Sequence, residues 1–488
     1  MKKIIKSLAF ALLIGVTVAG CKKAENSDDS ASTTGDFDKS SSAYLDSRTV
    51  PTTVATVPSV ISGAVTLNAS TEWIIDGPTY VVAGGTLTIQ PGTFIKGKKN
   101  STSGNPSFLL VAKGGKLIAN GTTALPIVFT SDQAPCSRNA GDWGGVVLLG
   151  NGITNVATTT VIEGILPSYV TSRGLPYPST IEYGGSSEAD AANASSLKNI
   201  RIEFAGKILS ADNELNALTL GAVGSATTLE HIQASWGADD SFEFFGGSVN
   251  AKFLISYGAN DDDFDFDNGY QGSIQYAVGV RLPTIGPYSA NPNGIECNND
   301  TDFPVVNTRK THPVLSNFTL LGHSATSGPA GGAGVVFRQT TEFTMVNSVI
   351  GGWGLGANTT AATSGVSSNN YIQAFTTVKS GTVAFNVNTS NVGTPANNFL
   401  KLANPFNLTT VCTANATPDF RFRLTPPPAS PANGPSLNPS PSVTHPGGVF
   451  PAASSMDDNA YIGAFVNAAG TRWDVPVWVS YAPQTNPY

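Results

Sequence analysis

The chain has 488 residues and a formal net charge of −7, and only 12% of its residues are Asp, Glu, Lys or Arg. Soluble domains carry about 25% charged residues, so this composition argues against a helical cytosolic enzyme rich in Glu, Lys, Leu and Met. The negative charge and the lack of a Lys/Arg stripe argue against a nucleic-acid partner.

Residues 1–20 have the organisation of an export signal. Three lysines within the first six residues precede an apolar stretch at 9–18, which is too short for a membrane-spanning helix of about 20 residues. The stretch ends in Val-Ala-Gly before Cys21, which resembles the bacterial lipobox. That resemblance implies cleavage before Cys21 and a diacylglycerol on its thiol; an ordinary signal peptide with an incidental cysteine is the alternative.

Residues 21–58 are predicted to comprise the lipidated cysteine and a disordered tether. The part from 22 to 50 is rich in Ser, Thr, Asp and Lys and has almost nothing apolar to bury. Its acidic residues soon after Cys21 resemble the signals that send lipoproteins of Bacteroidetes to the outer face of the outer membrane. The resemblance implies a lipid-anchored outer-membrane protein that faces outward; a merely solvated linker is the alternative.

Three further cysteines, Cys136, Cys297 and Cys412, fit an exported protein. They can form at most one disulfide, and their spacing matches no zinc or redox motif. We expect them to be structural, with Cys297 and Cys412 as the pair.

Residues 59–425 are predicted to form an all-β fold, a right-handed parallel β-helix with caps at both ends. Short β-branched or aromatic runs end in Gly, Asn, Asp or Ser, and no amphipathic helix is evident. Gly237, Gly258 and Gly279 close similar runs 21 residues apart. Such a repeat, with three short strands per turn, is typical of a β-helix, whereas propeller blades are about 40 residues long.

The two ends of this body have a different character. Residues 73–132 contain Gly-rich runs that suggest an N-terminal cap. Residues 426–456 are predicted to be a Pro-rich extended segment, and residues 457–488, which are apolar and aromatic, a C-terminal cap.

Several motifs resemble one family. The run Gly-Asp-Trp-Gly-Gly-Val-Val-Leu-Leu-Gly at 141–150 and the repeated Gly-Ala-Asp-Asp and Asp-Asp-Asp-Phe-Asp-Phe motifs look like those of the uncharacterised right-handed parallel β-helix surface lipoproteins of Bacteroidetes. The resemblance implies the fold and the outer-membrane location, but it implies no reaction.

An acidic segment is the sharpest candidate for a functional site. Asp and Phe alternate over 263–267, so the Phe side chains should face the helix interior and the Asp side chains should face outward. If the repeat is in register, Phe242 stacks on Phe264 and Phe244 on Phe266. Glu243 and Asp265 would then lie one strand spacing apart, at which like charges destabilise the fold unless a partner neutralises them.

A hard cation with oxygen ligands would neutralise this cluster, and Ca²⁺ takes about six to eight such ligands. The alternative is a solvated acidic stripe, or one paired with Lys252 and Arg281. The predicted Ca²⁺ ligands are Asp239, Asp240, Glu243, Asp261, Asp262, Asp263, Asp265 and Asp267.

The predicted role is binding: a rigid surface for carbohydrate, matrix or neighbouring proteins. One alternative is a Ca²⁺-dependent polysaccharide lyase or glycoside hydrolase, although no signature of either surrounds the acidic residues. Another is a purely structural component of the cell surface. The aromatic residues that could stack on sugars, or instead pack at coil corners, are Trp143, Trp236, Tyr257, Trp353 and Tyr371.

Overall fold

The computed structural model describes the chain from residue 51 to residue 488, except for residues 211–212, 284, 286–287, 300–303, 324–331, 394–401, 405–418, 423–455, 458–461, 466–471, 475–476 and 487. Within the described residues, no helix combines the length and the hydrophobicity that a membrane span requires. The predicted signal peptide, Cys21 and nearly all of the Pro-rich segment lie outside these residues and stay predictions.

One parallel sheet of 26 strands makes up most of the described chain. The sheet winds into a right-handed parallel β-helix, as predicted. Successive coils place their strands in three stacks, within which neighbouring strands lie about 4.8 Å apart. Because each coil leaves its inner face uncovered until the next coil is added, the hydrophobic core is continuous along the stacks.

The first stack contains β3 (Ala64–Leu67), β6 (Thr86–Ile89), β9 (Lys116–Asn120), the first halves of β12 (Ser196–Glu203), β16 (Thr228–Gly237), β18 (Asn250–Ala259), β20 (Ser273–Val280) and β22 (Val314–Leu321), then β24 (Glu342–Val346) and β26 (Ser364–Ser368). The second stack contains β1 (Thr53–Thr56), β4 (Thr71–Ile75), β7 (Phe94–Gly97), β10 (Ile127–Ser131), the second halves of β12 to β22 named above, then β25 (Val349–Thr359), β27 (Asn370–Gly381) and β28 (Val387–Val392). The third stack contains β2 (Val60–Ile61), β5 (Pro78–Val81), β8 (Phe108–Val111), β11 (Val146–Leu149), β15 (Leu218–Gly221), β17 (Phe242–Phe245), β19 (Phe264–Asp267), β21 (Ile295–Cys297), β23 (Ala333–Phe337) and the ends of β25 and β27.

A few short elements lie outside the stacks. They are two antiparallel pairs, β13 (Lys207–Ser210) with β14 (Asn213–Leu215) and β29 (Leu402–Asn404) with β30 (Asp419–Phe422), one helix, α1 (Pro167–Thr171), and 3-10 turns at Ala191–Asn193 and Pro483–Thr485.

A single left-handed residue turns the chain between the first and second stacks. This backbone conformation is rare for residues other than glycine, and Asn tolerates it better than most. Three coils carry rings there instead, and His231 stacks on Phe253 at 4.3 Å and Phe253 on Tyr276 at 5.0 Å between ring centroids. The residues with positive φ at this corner are Asn199, His231, Phe253, Tyr276, Asn317, Asn347 and Asn369.

The predicted aromatic stacking inside the helix is confirmed. The rings of Phe242 and Phe264 lie 5.3 Å apart at an interplanar angle of 6°, and those of Phe244 and Phe266 lie 5.0 Å apart. All four side chains are fully buried. The alternation of Phe and acidic residues therefore sets the inner face of the third stack.

The coil repeat is 22 residues, and the predicted repeat of 21 is wrong. Phe242 pairs with Phe264, and Gly237 pairs with Ala259 rather than with Gly258. Gly258 instead takes the left-handed position that Trp236 holds in the preceding coil. With this register the two acidic segments align without an insertion.

Three predicted boundaries also change. The tether was predicted to reach residue 58, but β1 already pairs with β4 in the first coil. Residues 73–132 are not a separate cap, because they supply strands from β4 to β10 of the helix itself. The described parts of 457–488 pack along the side of the helix rather than across its end.

The predicted pairing of Cys297 with Cys412 is wrong. Cys297 is a free thiol, fully buried in β21, whereas Cys136 is disulfide-bonded. Cys297 stands in register with Phe266, so its side chain fills an inward position of the core.

A candidate metal centre on the third stack

Four successive coils carry Asn or Asp two residues before their third-stack strand. Each side-chain Oδ1 accepts the backbone N–H of the next coil, from Asp240 to Asn216 at 3.1 Å, from Asp262 to Asp240 at 2.7 Å, and from Asn293 to Asp262. Asn293 continues the series to Ala333 at 2.9 Å. We call Asn216, Asp240, Asp262 and Asn293 the corner ladder.

The corner ladder needs only an acceptor oxygen, and a neutral amide supplies it at both ends. Asp240 and Asp262 add negative charge that this hydrogen bonding does not require, although their side chains are only 6% and 3% exposed. Burial and neighbouring carboxylates raise the pKa of both side chains well above the ordinary value. An ionised pair here is therefore unstable without a compensating charge.

A second row of carboxylates follows along the outer face of the third stack. Glu243, Asp265 and Glu296 occupy the same position in β17, β19 and β21, about 4.8 Å from one strand to the next. The Oδ1 atom of Asp265 is buried and has no hydrogen-bond partner among the described residues. Burial, with the charge of Glu296 next, raises the pKa of Asp265 well above its ordinary value.

The two rows combine into three overlapping groups whose carboxylate oxygens lie within 4.8 Å of one another. Asp240 belongs to the first two groups and Asp265 to the last two, so the groups form a continuous series along the helix axis. Carboxylate oxygens at this spacing suit a hard divalent cation such as Ca²⁺, which binds oxygen at about 2.3–2.6 Å. The groups found among the described residues are Asp239 with Asp240 and Asp261, Asp240 with Glu243 and Asp265, and Asp262 with Asp265 and Glu296.

Six of the eight predicted ligands fall in these groups, and Asp263 and Asp267 do not. Asp263 was predicted to face outward, but it is fully buried. It lies before β19 begins, where it accepts the Ser256 hydroxyl at 2.5 Å and lies 3.5 Å from Arg281 Nε. Asp267 does point outward, but it is two residues beyond Asp265 on the strand, about 7 Å away.

Two carboxylates near the site have no counterpart in the sequence prediction. Glu296 follows a long insertion, and only the alternation Ile-Glu-Cys, which matches Phe-Asp-Phe in register, could have indicated it. Glu163 comes from the loop between β11 and β12 and hydrogen-bonds Glu243. Burial, with the charge of Glu214 next, raises the pKa of Glu163 to about 8.

Two arginines lie against the cluster, and the predicted pairing of Lys252 with it is wrong. Arg281 is fully buried and donates to the carbonyl oxygens of Ala259, at 2.9 Å, and of Asp261. Arg338 pairs with Glu296 at the far end. Lys252 lies in the first stack and pairs with Asp457 at 2.6 Å. Two guanidinium groups cannot neutralise eight or more carboxylates.

The five aromatic residues considered for sugar stacking are packing residues. Each is at most 8% exposed, which leaves no ring face for a sugar. The fully buried Trp353 ring, for example, lies 5.4 Å from the Arg281 guanidinium carbon. A carbohydrate site on this protein must therefore depend on polar and charged groups.

The raised pKa values predict how stability changes with pH. Because the folded, metal-free protein holds protons that the unfolded chain releases, its free energy of unfolding should fall as pH rises from about 4.5 to 8, the ordinary and raised values for Glu163. Ca²⁺ displaces these protons, so its affinity should increase over the same range. Denaturant unfolding in chelator and calcium titrations at several pH values measure both; a calcium affinity independent of pH would contradict the site.

The chain was compared with protein families, curated proteins and solved structures. A family model described as a pectate-lyase-like β-helix domain matches residues 59–419. No curated protein and no solved structure gives a significant match.

Proposed function

Since the chain belongs to the family of pectate-lyase-like β-helix domains, we propose that it is a surface lipoprotein that binds Ca²⁺ and, through it, an anionic polysaccharide. The observation that carries the proposal is the series of three carboxylate groups along one face of the third stack. The lipid anchor and the outer-membrane location rest on the sequence alone.

The ligand set supports calcium over softer metals. The groups consist of carboxylates, with no His or Cys among their members, and such oxygen ligands suit Ca²⁺, Mg²⁺ and Mn²⁺ rather than Zn²⁺ or Cu²⁺. Ca²⁺ tolerates six to eight ligands in irregular geometry, whereas Mg²⁺ demands a near-ideal octahedron. A row of carboxylates fixed by strand spacing fits the more tolerant ion.

The charge of this face supports an anionic polysaccharide as the partner. A bare carboxylate row repels uronate or sulfate groups, whereas bound Ca²⁺ attracts them and takes their oxygens as further ligands. Asp239, Asp261 and Asp265 are only partly buried, so ions held there remain open to solvent on one side. Polysaccharide binding should therefore require calcium.

Binding of labelled polyuronates and of neutral glucans to the purified protein tests this function. We expect polyuronate binding in calcium, loss of binding in chelator, and little binding of neutral glucans. The Asp265→Asn variant should bind weakly in calcium, whereas Asp457→Asn, which removes an exposed carboxylate away from the groups, should bind as the unmodified protein does. Equal binding in calcium and chelator would contradict the proposal.

The proposed location has its own test. Protease treatment of intact cells should remove the protein from the surface, and Cys21→Ser should prevent incorporation of labelled fatty acid. Protection of the protein in intact cells would contradict outward display.

A second candidate, a glycoside hydrolase, is favoured by the pair formed by Glu163 and Glu243. A carboxyl group with a pKa of about 8 stays protonated near neutral pH, as a general acid must. The lyase alternative has less support, because Lys252 and Arg281 are both engaged in other contacts. New reducing ends from a polyuronate, lost in Glu163→Gln, would support the hydrolase; a surface component that binds no glycan is the remaining alternative.

A further inference from the structure

The described parts of residues 456–488, which we call the strap, lie against the outer face of the second stack. Gly463 donates its N–H to the carbonyl of Asn347 at 2.7 Å, beside β25. Trp473 contacts Phe253 of β18, and Tyr488 reaches Phe94 of β7 with their ring centroids 5.0 Å apart. From Gly463 onward, the strap therefore runs back towards the first coils.

Two glutamine side chains hold the strap by its backbone. Gln233 donates to the carbonyl of Ser480 at 2.7 Å and accepts the N–H of the same residue at 2.8 Å. Gln275 makes the same pair of bonds with Asp457, at 3.0 and 2.7 Å. Both glutamines are 0–1% exposed. A side-chain amide that satisfies both backbone groups of one residue recognises an extended peptide without reading its side chain.

Rings of the strap cover rings at the left-handed corner. Trp478 meets His231 edge to face at 5.2 Å, and Trp473 lies 5.3 Å from Phe253. Trp478 is fully buried in this contact. These rings add apolar contact area to the peptide recognition by the glutamines.

The last residue of the strap enters a charged site. The Tyr488 hydroxyl accepts from Arg201 Nη2 at 2.6 Å and donates to Glu203 Oε1 at 2.9 Å. The guanidinium carbons of Arg138 and Arg201 lie 5.0 and 5.5 Å from the ring centroid. Lys96 donates to the Tyr488 carbonyl oxygen at 3.1 Å. The site selects a phenol, because only an O–H can join Arg201 to Glu203.

We propose that the outer face of the second stack is a binding groove for an extended, tyrosine-containing peptide, and that the strap is its resident, separable ligand. The contacts cover a face of the sheet and add no strand to it among the described residues. The sheet beneath keeps its own strand pairing without the strap, from β7 to β25. The groove is independent of the metal centre, which lies on the third stack.

Cleavage of the intact chain tests this proposal. A protease site placed within 423–455 of the full-length protein allows the strap to be cut after folding. We expect the cut strap to co-elute with the β-helix at micromolar concentration, and a labelled peptide of residues 472–488 to exchange into the groove with one-to-one stoichiometry. A Tyr488→Phe peptide should bind about tenfold more weakly, because it leaves buried Arg201 and Glu203 without their bridging hydroxyl.

The controls separate peptide recognition from general stability. A scrambled peptide should not exchange, and Tyr177→Phe, at an exposed tyrosine outside the groove, should leave exchange unchanged. In the uncut protein, hydrogen exchange of the Ser480 and Ala464 amides should be faster than that of amides in β16 and β18. Exchange of both sets at one common rate, or loss of β-helix structure on cutting, would overturn the proposal.

Discussion

Calcium added to the metal-free protein should raise its free energy of unfolding by about 2.7 kcal/mol at a concentration one hundred times the dissociation constant. The gain arises because the carboxylate groups exist as a set only in the folded state. Asp265→Asn should abolish most of it, since Asp265 belongs to two of the three groups. Thermal or denaturant unfolding in chelator and in calcium measures the difference.

The corner ladder supplies matched variants for this measurement. Asp240→Asn and Asp262→Asn keep the Oδ1 acceptor that the next coil uses, as Asn216 and Asn293 already do. We expect each variant to be at least as stable as the original protein in chelator, because a buried like charge is removed, and to respond less to calcium. Asp457→Asn should respond fully. A calcium response in Asp265→Asn equal to that of the original protein would contradict the site.

Replacing Phe264 by Ala should lower the free energy of unfolding by about 3–5 kcal/mol. Its ring is fully buried, stacked on Phe242 at 5.3 Å and edge to face with Phe318 at 5.4 Å, so the surrounding coils cannot close the cavity. The calcium response should weaken as well, because Asp265 follows directly on the same strand. Chemical unfolding in chelator measures the loss.

Tyr177→Ala removes a comparable side chain that is 42% exposed, and it should cost far less than the Phe264 substitution. A loss below about 1 kcal/mol for Phe264→Ala would mean that the stacked rings do not support the third stack. That result would also remove the basis for the positions of Glu243 and Asp265.

The inner face of the third stack could be predicted because its pattern is local. Phe at every second residue fixes which side chains face inward, and the register of two neighbouring coils follows from matching the rings. The repeat length could not be read from the glycines, since Gly237 and Gly258 occupy different positions in their coils. Trp236 holds a left-handed conformation that a residue type alone does not indicate.

The metal centre could be predicted only where its ligands lie in the repeated motif. Glu163 and Glu296 join the cluster through an inserted loop and a long interval, which leave no pattern in sequence. Asp263 continued the alternation in sequence, but β19 begins after it and Arg281 binds it inside. The position of the strap depends on contacts across more than 200 residues, such as Gln233 with Ser480, and no local pattern encodes them.

Anomalous diffraction from calcium-soaked crystals of the protein tests the central claim most directly. We predict a calcium peak bounded by Asp240, Glu243 and Asp265, with carboxylate oxygens at about 2.3–2.6 Å, and loss of that peak in Asp265→Asn. Absence of any peak beside these three residues at saturating calcium would contradict the claim.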